Sequence, residues 1–542
     1  MLGSQLVVRT LKRRGVTTVF SLSGNQIMPL YDACLDAGIR IVHVRHEAAA
    51  VFMADAWAQV TGELGVAMLT AGPGITNGIA PLYSAAQAES PVLLLSGDSS
   101  LGEDGLGAFQ EMDQVAITSP LTKLSARPRS APSLASAVDT AIATALAPRR
   151  GPVHLALPFD LLTQESDLDA LPPPAAQAPA SVPEPGALAA LMAQARRPIV
   201  LGGPAWGRSQ KRTFRHDVAT ALQAPVLPLE SPRGLKDPSA GTLAEVLVQA
   251  DLVVLAGKRL DFTLGFGRTG AIGEGARVVV LDPDPALLER ARRLLGDRLV
   301  LALQCDPESM LERLSRAGPM PARTAWLEQV AAAVASRELP ANTSAPREPE
   351  AITPRVLCEQ VQQHLDAARD AILVCDGGEF GQWAQAFCRA PLRIINGMSG
   401  AIGGGICYAI AAKIARPEAT VVAMMGDGTA GFHFMEFDTA VRENAPFIAV
   451  VGNDLRWNAE HLIQLRSYGV DRLVGCELAA TARYHEAAAA LGGFGAEVRQ
   501  REQLSAALSA AAASGRPACV NVRIEGQAAP VFGAAGGAPT SH

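Results

Sequence analysis

The eight cysteines of this 542-residue chain, at positions 34, 305, 358, 375, 388, 407, 476 and 519, include no C-x-x-C pair. The nine histidines show neither H-x-x-x-H nor H-E-x-x-H spacing. A zinc site and a disulfide framework are therefore poorly supported, and the cysteines read as reduced, buried, small apolar residues. Long apolar runs are missing as well. No stretch of about 18 apolar residues escapes interruption by charge, Pro or Gly, which argues against a membrane span. The opening MLGSQLVVRTLKRRG has too short an apolar core for a signal peptide and reads as a first helix. Nor is there an excess of basic charge: 47 Lys and Arg against 53 Asp and Glu leave a net charge of −6. A nucleic-acid or anionic-membrane partner would favour a basic face, so neither is expected. These absences fit a cytoplasmic enzyme without saying which.

What is present is material for large cores. Apolar residues make up 49% of the chain and charged ones only 18%. A length of 542 residues implies three or four domains at roughly 150 residues each. Two Pro/Ala-rich stretches, residues 171–186 (LPPPAAQAPASVPEPG) and 338–350 (ELPANTSAPREPE), cannot hold a regular helix or strand and read as semi-extended linkers. They divide the chain into domains at 1–170, 187–337 and 351–527, with a tail at 528–542. Each block alternates β-branched runs with Ala/Leu-rich helical stretches; examples of the runs are 41–44, 66–70, 92–96, 198–201, 252–256, 278–281, 372–375, 421–425 and 447–451. That alternation predicts three doubly wound α/β domains, each a parallel sheet covered on both faces.

The segment 420–454, TVVAMMGDGTAGFHFMEFDTAVRENAPFIAVVGND, reads as strand, glycine turn, helix and strand. Gly426 and Gly428 flank Asp427 at the mouth of the first strand, and Asn453 and Asp454 lie at the mouth of the second. A right-handed crossover makes the strands parallel, so both acidic ends open on the carboxyl edge, where such sheets bind ligands. A magnesium-sized ion takes oxygen ligands and shares them with phosphate. Glycines let phosphate approach the backbone, and a helix beginning near Phe432 would add its N-terminal amides. Taken alone, G-D-G is also an ordinary tight turn. The whole segment, however, resembles the thiamine diphosphate-binding motif, in which a second metal ligand follows the aspartate of GDG by 27 residues. Asp454 stands at that offset from Asp427. The resemblance implies a diphosphate site at Gly426, Asp427, Gly428 and Thr429, and Mg2+ held by Asp427, Asp454 and the peptide oxygen of Arg456. Asp454 departs from the usual asparagine and adds negative charge.

The N-terminal block carries IVHVRHEAAAVFMADAWAQVTGELGVAMLTAGPGITNG. Glu47 follows a strand and opens an Ala-rich helix, so its surroundings are expected to be largely apolar. A glutamate there is commonly a helix-start charge facing solvent. The stretch closely resembles the pyrimidine-binding domain of the acetolactate synthase-like family, where R-H-E (here Arg45, His46, Glu47) carries the catalytic glutamate. Gly72, Pro73, Gly74, Thr76 and Asn77 match its G-P-G-x-T-N, which lies beside the cofactor. The resemblance makes Glu47 the carboxyl that handles a proton at pyrimidine N1′, a role favoured by an apolar, pKa-raising pocket. His46 reads as a packing or hydrogen-bonding residue. In this family an apolar wedge lies 25 residues before the metal-binding aspartate, and Ile402 holds that place. DGGEFGQW (376–383) falls where the family clasps the diphosphate, which makes Gly378, Glu379 and Phe380 candidates. Because the cofactor bridges the first domain of one subunit and the third of another, a homodimer or homotetramer is implied.

The resemblance runs from residue 1 to about residue 525. Phe109, Gln110, Glu111 and Lys123 are shared with acetolactate synthases and 2-hydroxyacyl-CoA lyases. The ending SARP at 125–128 and the run DLVVLAGKRLDFTLGFG (251–267) are closer to the lyase and oxalyl-CoA decarboxylase branch. The loop LRWNAEHLIQLRSYG after Asp454 lacks the G-M-V-x-Q-W of acetolactate synthases and also departs from the N-G-I-Y of many acyl-CoA lyases. Gln110 is the first candidate to touch substrate, with Asn25 and Gln26 beside it. Arg456, Trp457, Asn458, Glu460 and His461 join them if that loop folds over the site. Expected substrates are a 2-hydroxyacyl-CoA with an aldehyde or ketone, or, as the alternative, 2-oxo acids. In the middle domain Gly202, Gly203 and Gly207 follow one strand and Asp282 ends another, but their spacing misses G-x-G-x-x-G. In the family that pocket holds ADP, FAD or nothing. A nicotinamide or flavin oxidoreductase and a non-catalytic paralogue are the rivals from other classes.

Overall fold

The β-branched runs become strands and the Ala-rich stretches helices in a computed structural model, which describes residues 1–166, 171, 173, 182–339, 350–395 and 398–532. Both proline-rich segments lie largely outside the described residues, as does the tail beyond Phe532. The first sheet contains β1 (Thr18–Ser21), β2 (Arg40–His43), β3 (Gly65–Leu69), β4 (Val92–Asp98), β5 (Ser125–Ala126) and β6 (Val153–Pro158). The second contains β7 (Pro198–Gly202), β8 (Val226–Pro228), β9 (Leu252–Ala256), β10 (Arg277–Asp282) and β11 (Leu299–Gln304). The third contains β12 (Ala371–Asp376), β13 (Leu392–Ile395), β14 (Thr420–Gly426), β15 (Ile448–Asn453), β16 (Phe494–Val498) and β17 (Ala518–Arg523). Their pairings are parallel, so the chain is three parallel-sheet α/β domains.

The first and third sheets share one topology. Their orders are β2-β1-β3-β4-β6-β5 and β13-β12-β14-β15-β17-β16, and the second runs β11-β10-β9-β7-β8. The winding direction reverses between β1 and β3, and again between β12 and β14. Each reversal leaves a crevice at the carboxyl ends of the strands.

Alternation along β3 and β4 sends Val66, Met68, Leu93 and Leu95 into one apolar cluster. It sends Ala67, Leu69, Val92 and Leu94 into another, which continues into the third domain through Ile372, Val374, Val421 and Ala423. The seam between these domains is the helix Glu47–Thr61 packed on the helix Gly405–Ala415. Their facing sides are rich in alanine, which lets the backbones approach closely. Asp55, fully buried in this seam, accepts a 3.0 Å bond from the Tyr408 hydroxyl. All eight cysteines are buried and free. No helix among the described residues is long and apolar enough to cross a membrane.

Candidate active site

At the first reversal, Gln26 follows β1 and Thr70 follows β3. The Thr70 hydroxyl donates to Gln26 Oε1 at 2.6 Å, and Gln26 Nε2 donates to Gln110 Oε1 at 2.9 Å. Gln110 sits at φ 63°, a left-handed conformation uncommon for a residue with a side chain. Its loop is tied down by Glu111, whose carboxylate accepts the amides of Gly105, Gly107 and Ala108. Asn25 is exposed beside buried Gln26.

Glu47 is the first residue of its helix, and His46 is the cap: its Nδ1 accepts from the Ala48 amide at 3.1 Å. The R-H-E and G-P-G-x-T-N segments converge here, because Asn77 Nδ2 donates to Glu47 Oε2 at 3.0 Å. Gly74 is adjacent; a side chain there would begin 3.9 Å from Glu47 Oε1. Within one chain the Glu47 carboxyl is half-buried beside exposed Asn77, not enclosed in the apolar pocket anticipated from the sequence. The apolar helix behind it faces the interior, while the carboxylate projects from the domain surface.

At the second reversal, Gly426 of β14 pairs in register with Gly452 of β15, so Asp427 and the pair Asn453–Asp454 emerge side by side. Asn453 is a brace: its Oδ1 accepts from the Leu455 amide and from Arg523, and its Nδ2 donates to Asn521. Asp427 receives its own amide and those of Gly428 and Leu455. Burial nevertheless raises its pKa to about 6. Burial, followed by repulsion from Asp427, raises Asp454 to about 7. Two desolvated carboxylates that repel each other are a donor set completed by a cation, and their chemistry fits Mg2+. The turn between them is tightly enclosed. A side chain on Gly428 would begin 2.7 Å from the Trp457 ring, so the loop after Asp454 does fold onto the GDG turn. Arg456 reaches His461 at 3.2 Å, and buried Asn458 donates to the Gln527 carbonyl at 3.0 Å. Glu460 is exposed. Thr429 is buried and packs against Gly377.

Ile402 lies half-buried in the loop ahead of the helix Gly405–Ala415 and belongs to none of the core clusters. That loop is pinned by Asp376, the last residue of β12. Its fully buried carboxylate accepts the amides of Gly403, Gly405 and Gly377, and burial raises its pKa to about 7. Asp376 was overlooked as a functional residue; its signal was an acid closing an apolar strand immediately before two glycines.

Three expectations change. The GDG turn itself forms a short helix, Asp427–Ala430, and the next helix begins at Glu436, not near Phe432. The first turn ends at Ala430, and Phe432 packs against Gly403 and Trp457. Glu379 does not face an open diphosphate site: its buried carboxylate accepts the Ala529 amide from the C-terminal segment. Phe380 is a core residue packed over Gly452. Gly378 caps the helix Glu379–Phe387, close to Ala459.

In the central domain the chain's own side chains narrow the crevice. The Trp206 ring packs on Gly202, and the Glu89 carboxylate stands 3.1 Å from where a side chain on Gly203 would begin. Glu230 packs on Gly207. Arg149 pairs with both Asp282 and Glu89 and donates to the Gly257 carbonyl at 2.9 Å. An opening of about 180 Å³ remains beside Arg149, Arg150, Arg208 and Lys211.

The first and third domains find their counterparts in known proteins. Residues 1–117 match the N-terminal TPP-binding domain of thiamine pyrophosphate enzymes. Residues 376–522 match the C-terminal TPP-binding domain of the same enzymes. An acetolactate synthase large subunit of Mycobacterium tuberculosis is 34% identical, over 96% of this chain and 95% of its own. The chain belongs to the thiamine pyrophosphate-dependent, acetolactate synthase-like enzymes. A 2-hydroxyacyl-CoA lyase 2 of Bos taurus is 32% identical over 91% of this chain and 84% of its own. The fold matches a thiamine diphosphate-dependent 4-hydroxybenzoylformate decarboxylase of Rhodococcus jostii, with TM-score 0.80, 23% identity, and 97% and 99% of the two chains covered. The protein is thus a thiamine diphosphate-dependent enzyme.

Proposed function

We propose that this enzyme makes or breaks a carbon–carbon bond next to a carbonyl, in the manner of a 2-hydroxyacyl-CoA lyase. The observation that carries the carbon–carbon chemistry is the pairing of two prepared half-sites: Glu47 held by Asn77 on one sheet, and Asp427 facing Asp454 on the other. When bound, thiamine diphosphate would supply the nucleophilic carbon and the electron sink that carbon–carbon chemistry next to a carbonyl requires. Glu47 holds and moves a proton at pyrimidine N1′; Asn77 occupies one carboxylate oxygen and leaves the other free to do so. Asp427, Asp454 and the peptide oxygen of Arg456 would hold Mg2+, which would bind the diphosphate. Ile402 would support the cofactor, and Asp376 keeps the Ile402 loop in place. Gln110, steadied by Gln26 and Thr70, offers its amide to the substrate oxygen.

Glu47 takes its hydrogen bond from its own domain, Asp454 is perturbed by Asp427 and Arg456, and Asp427 by Arg523. The family resemblance, in which the cofactor bridges two subunits, supports a site that joins Glu47 of one chain to Asp427 of a second in a homodimer or a pair of dimers. In the central crevice Trp206 and Glu89 pack on the glycine turn and Arg149 pairs with Asp282, which narrows the room for ADP or FAD to the opening beside Arg150, Arg208 and Lys211.

The substrate class rests on the loop after Asp454, which lacks the acetolactate synthase acceptor sequence, and on the lyase-like runs at 125–128 and 251–267. Condensation of 2-oxo acids is the second reading, favoured by the Mycobacterium tuberculosis relative that matches nearly end to end. Incubation with a 2-hydroxyacyl-CoA should release formyl-CoA and an aldehyde or ketone; acetolactate from pyruvate alone would transfer the assignment to the second reading. Glu47→Gln should abolish turnover while sparing cofactor binding, and a fully active variant would remove Glu47 from the mechanism.

A further inference from the structure

We infer that Glu436 is a positioning residue that fixes the catalytic carboxyl of Glu47 by gripping the backbone immediately before it. The inference rests on the thiamine reading of Glu47. Glu436 is the first residue of the helix Glu436–Arg442, nine residues beyond Asp427, and its side chain is 1% exposed. It accepts the Arg45 amide at 3.0 Å through Oε1 and 3.2 Å through Oε2, and the Thr439 hydroxyl at 2.6 Å. The His46 amide also points to it. A carboxylate buried this deeply loses hydration and is retained where several donors compensate it. Here the compensating amides belong to the two residues ahead of Glu47, in another domain.

The rest of the helix reinforces the grip. Arg442 Nη2 donates to the His43 carbonyl at 2.6 Å, Asp438 lies 3.7 Å from Arg45, and Glu443 pairs with Arg40. Just upstream, His433 Nδ1 contacts the Gly403 carbonyl at 2.7 Å, and its ring meets those of His46 and Phe52. Strand β2, the turn after it and the cap of the Glu47 helix are therefore held from outside their own domain. Among the described residues the Glu47 side chain has only the bond from Asn77; its backbone is held on one side by the helix it opens and on the other by the exposed Arg45–His46 turn that Glu436 grips. Misplacing a proton-transfer group by about 1 Å costs on the order of a hundredfold in rate.

The test compares Glu436→Gln and Glu436→Ala. Glutamine keeps an oxygen for the amides and should preserve most of the rate. Alanine removes the acceptor and should lower kcat about 10- to 100-fold, with substrate KM and cofactor affinity within a few-fold of the parent. Two further readouts separate positioning from general damage. In the metal-free, cofactor-free chain, amide exchange at residues 45–48 should accelerate in the alanine variant while the 420–430 strand and turn stay protected. In the loaded protein, the near-ultraviolet circular dichroism of the bound aminopyrimidine, which reports its protonation, should change. Unchanged kcat and unchanged exchange at 45–48 in the alanine variant would overturn the inference, as would a loss confined to cofactor affinity. Should alanine misfold, a glutamine variant with parental exchange but a large loss of kcat would also count against it. Parent protein that fails to bind thiamine diphosphate would instead refute the cofactor role assigned to Glu47.

Discussion

The Asp55 carboxylate and the Tyr408 hydroxyl meet at 3.0 Å in the fully buried seam between the first and third domains. Gln59 also donates to Asp55 at 2.9 Å, and burial pushes the Asp55 pKa upward against these bonds. Tyr408→Phe removes one donor from a buried acid and fills nearly the same volume. It should cost about 1–3 kcal/mol, read as a lower urea midpoint. A variant as stable as the parent would show that the hydroxyl is dispensable at the seam.

The Asp427–Asp454 pair predicts how the metal-free protein responds to pH. Both acids titrate higher in the fold, at about 6 and about 7, than their ordinary value of 3.8. The native state then holds more protons than the unfolded one, so their contribution to stability is complete below roughly pH 4 and fades as pH rises through 6 to 7. Asp376, raised to about 7, acts in the same direction. Asp454→Asn should therefore stabilise the metal-free chain by about 1–2 kcal/mol near pH 8 and hardly at pH 4. Equal effects at both pH values, from urea titrations in chelator, would contradict the assignment.

The C-terminal segment should behave as a structural strap. Trp383 Nε1 donates to the Ala528 carbonyl at 3.0 Å, Glu379 holds the Ala529 amide, and Phe532 is buried against Phe387. Removing residues 528–542 strands two buried polar groups and uncovers an aromatic. The expected loss is about 2–4 kcal/mol, measurable by thermal melting without any cofactor.

The narrowed central crevice predicts indifference to nucleotides. Neither ADP nor FAD should raise the melting temperature, since only a ligand bound to the native state does so. Arg149→Ala should destabilise by about 3–5 kcal/mol, because Glu89 and Asp282 would be left buried without their cation. A nucleotide-induced rise in the parent would mean that Arg149 can swing away.

Much of this arrangement could be read from the chain because it follows from short-range rules. Strand runs such as 252–256 are continuous apolar segments bounded by polar turns, and β9 takes those limits. That Asp427 and Asp454 share one sheet edge was legible because a crossover of fixed hand delivers both to adjacent strand ends, while the meaning of their 27-residue spacing came from the family resemblance. What escaped depends on partners remote in sequence. Glu379 could not be known to hold Ala529, 150 residues away, nor Glu436 to reach back 391 residues to Arg45. The helix forecast near Phe432 failed because packing on Gly403 and Trp457, residues remote in sequence, decides where Phe432 goes.

The alanine-lined seam has a consequence of its own. One of its two helices starts at Glu47, and the other starts three residues after Ile402. With so little side-chain bulk between them, the spacing of these starts is set by backbone against backbone, as in a strut with no slack. If two chains pair as proposed, the Glu47 that opens one helix serves one catalytic centre and the Ile402 just ahead of the other helix serves its twin. A disturbance at either centre would then be transmitted to the other through a single rigid member.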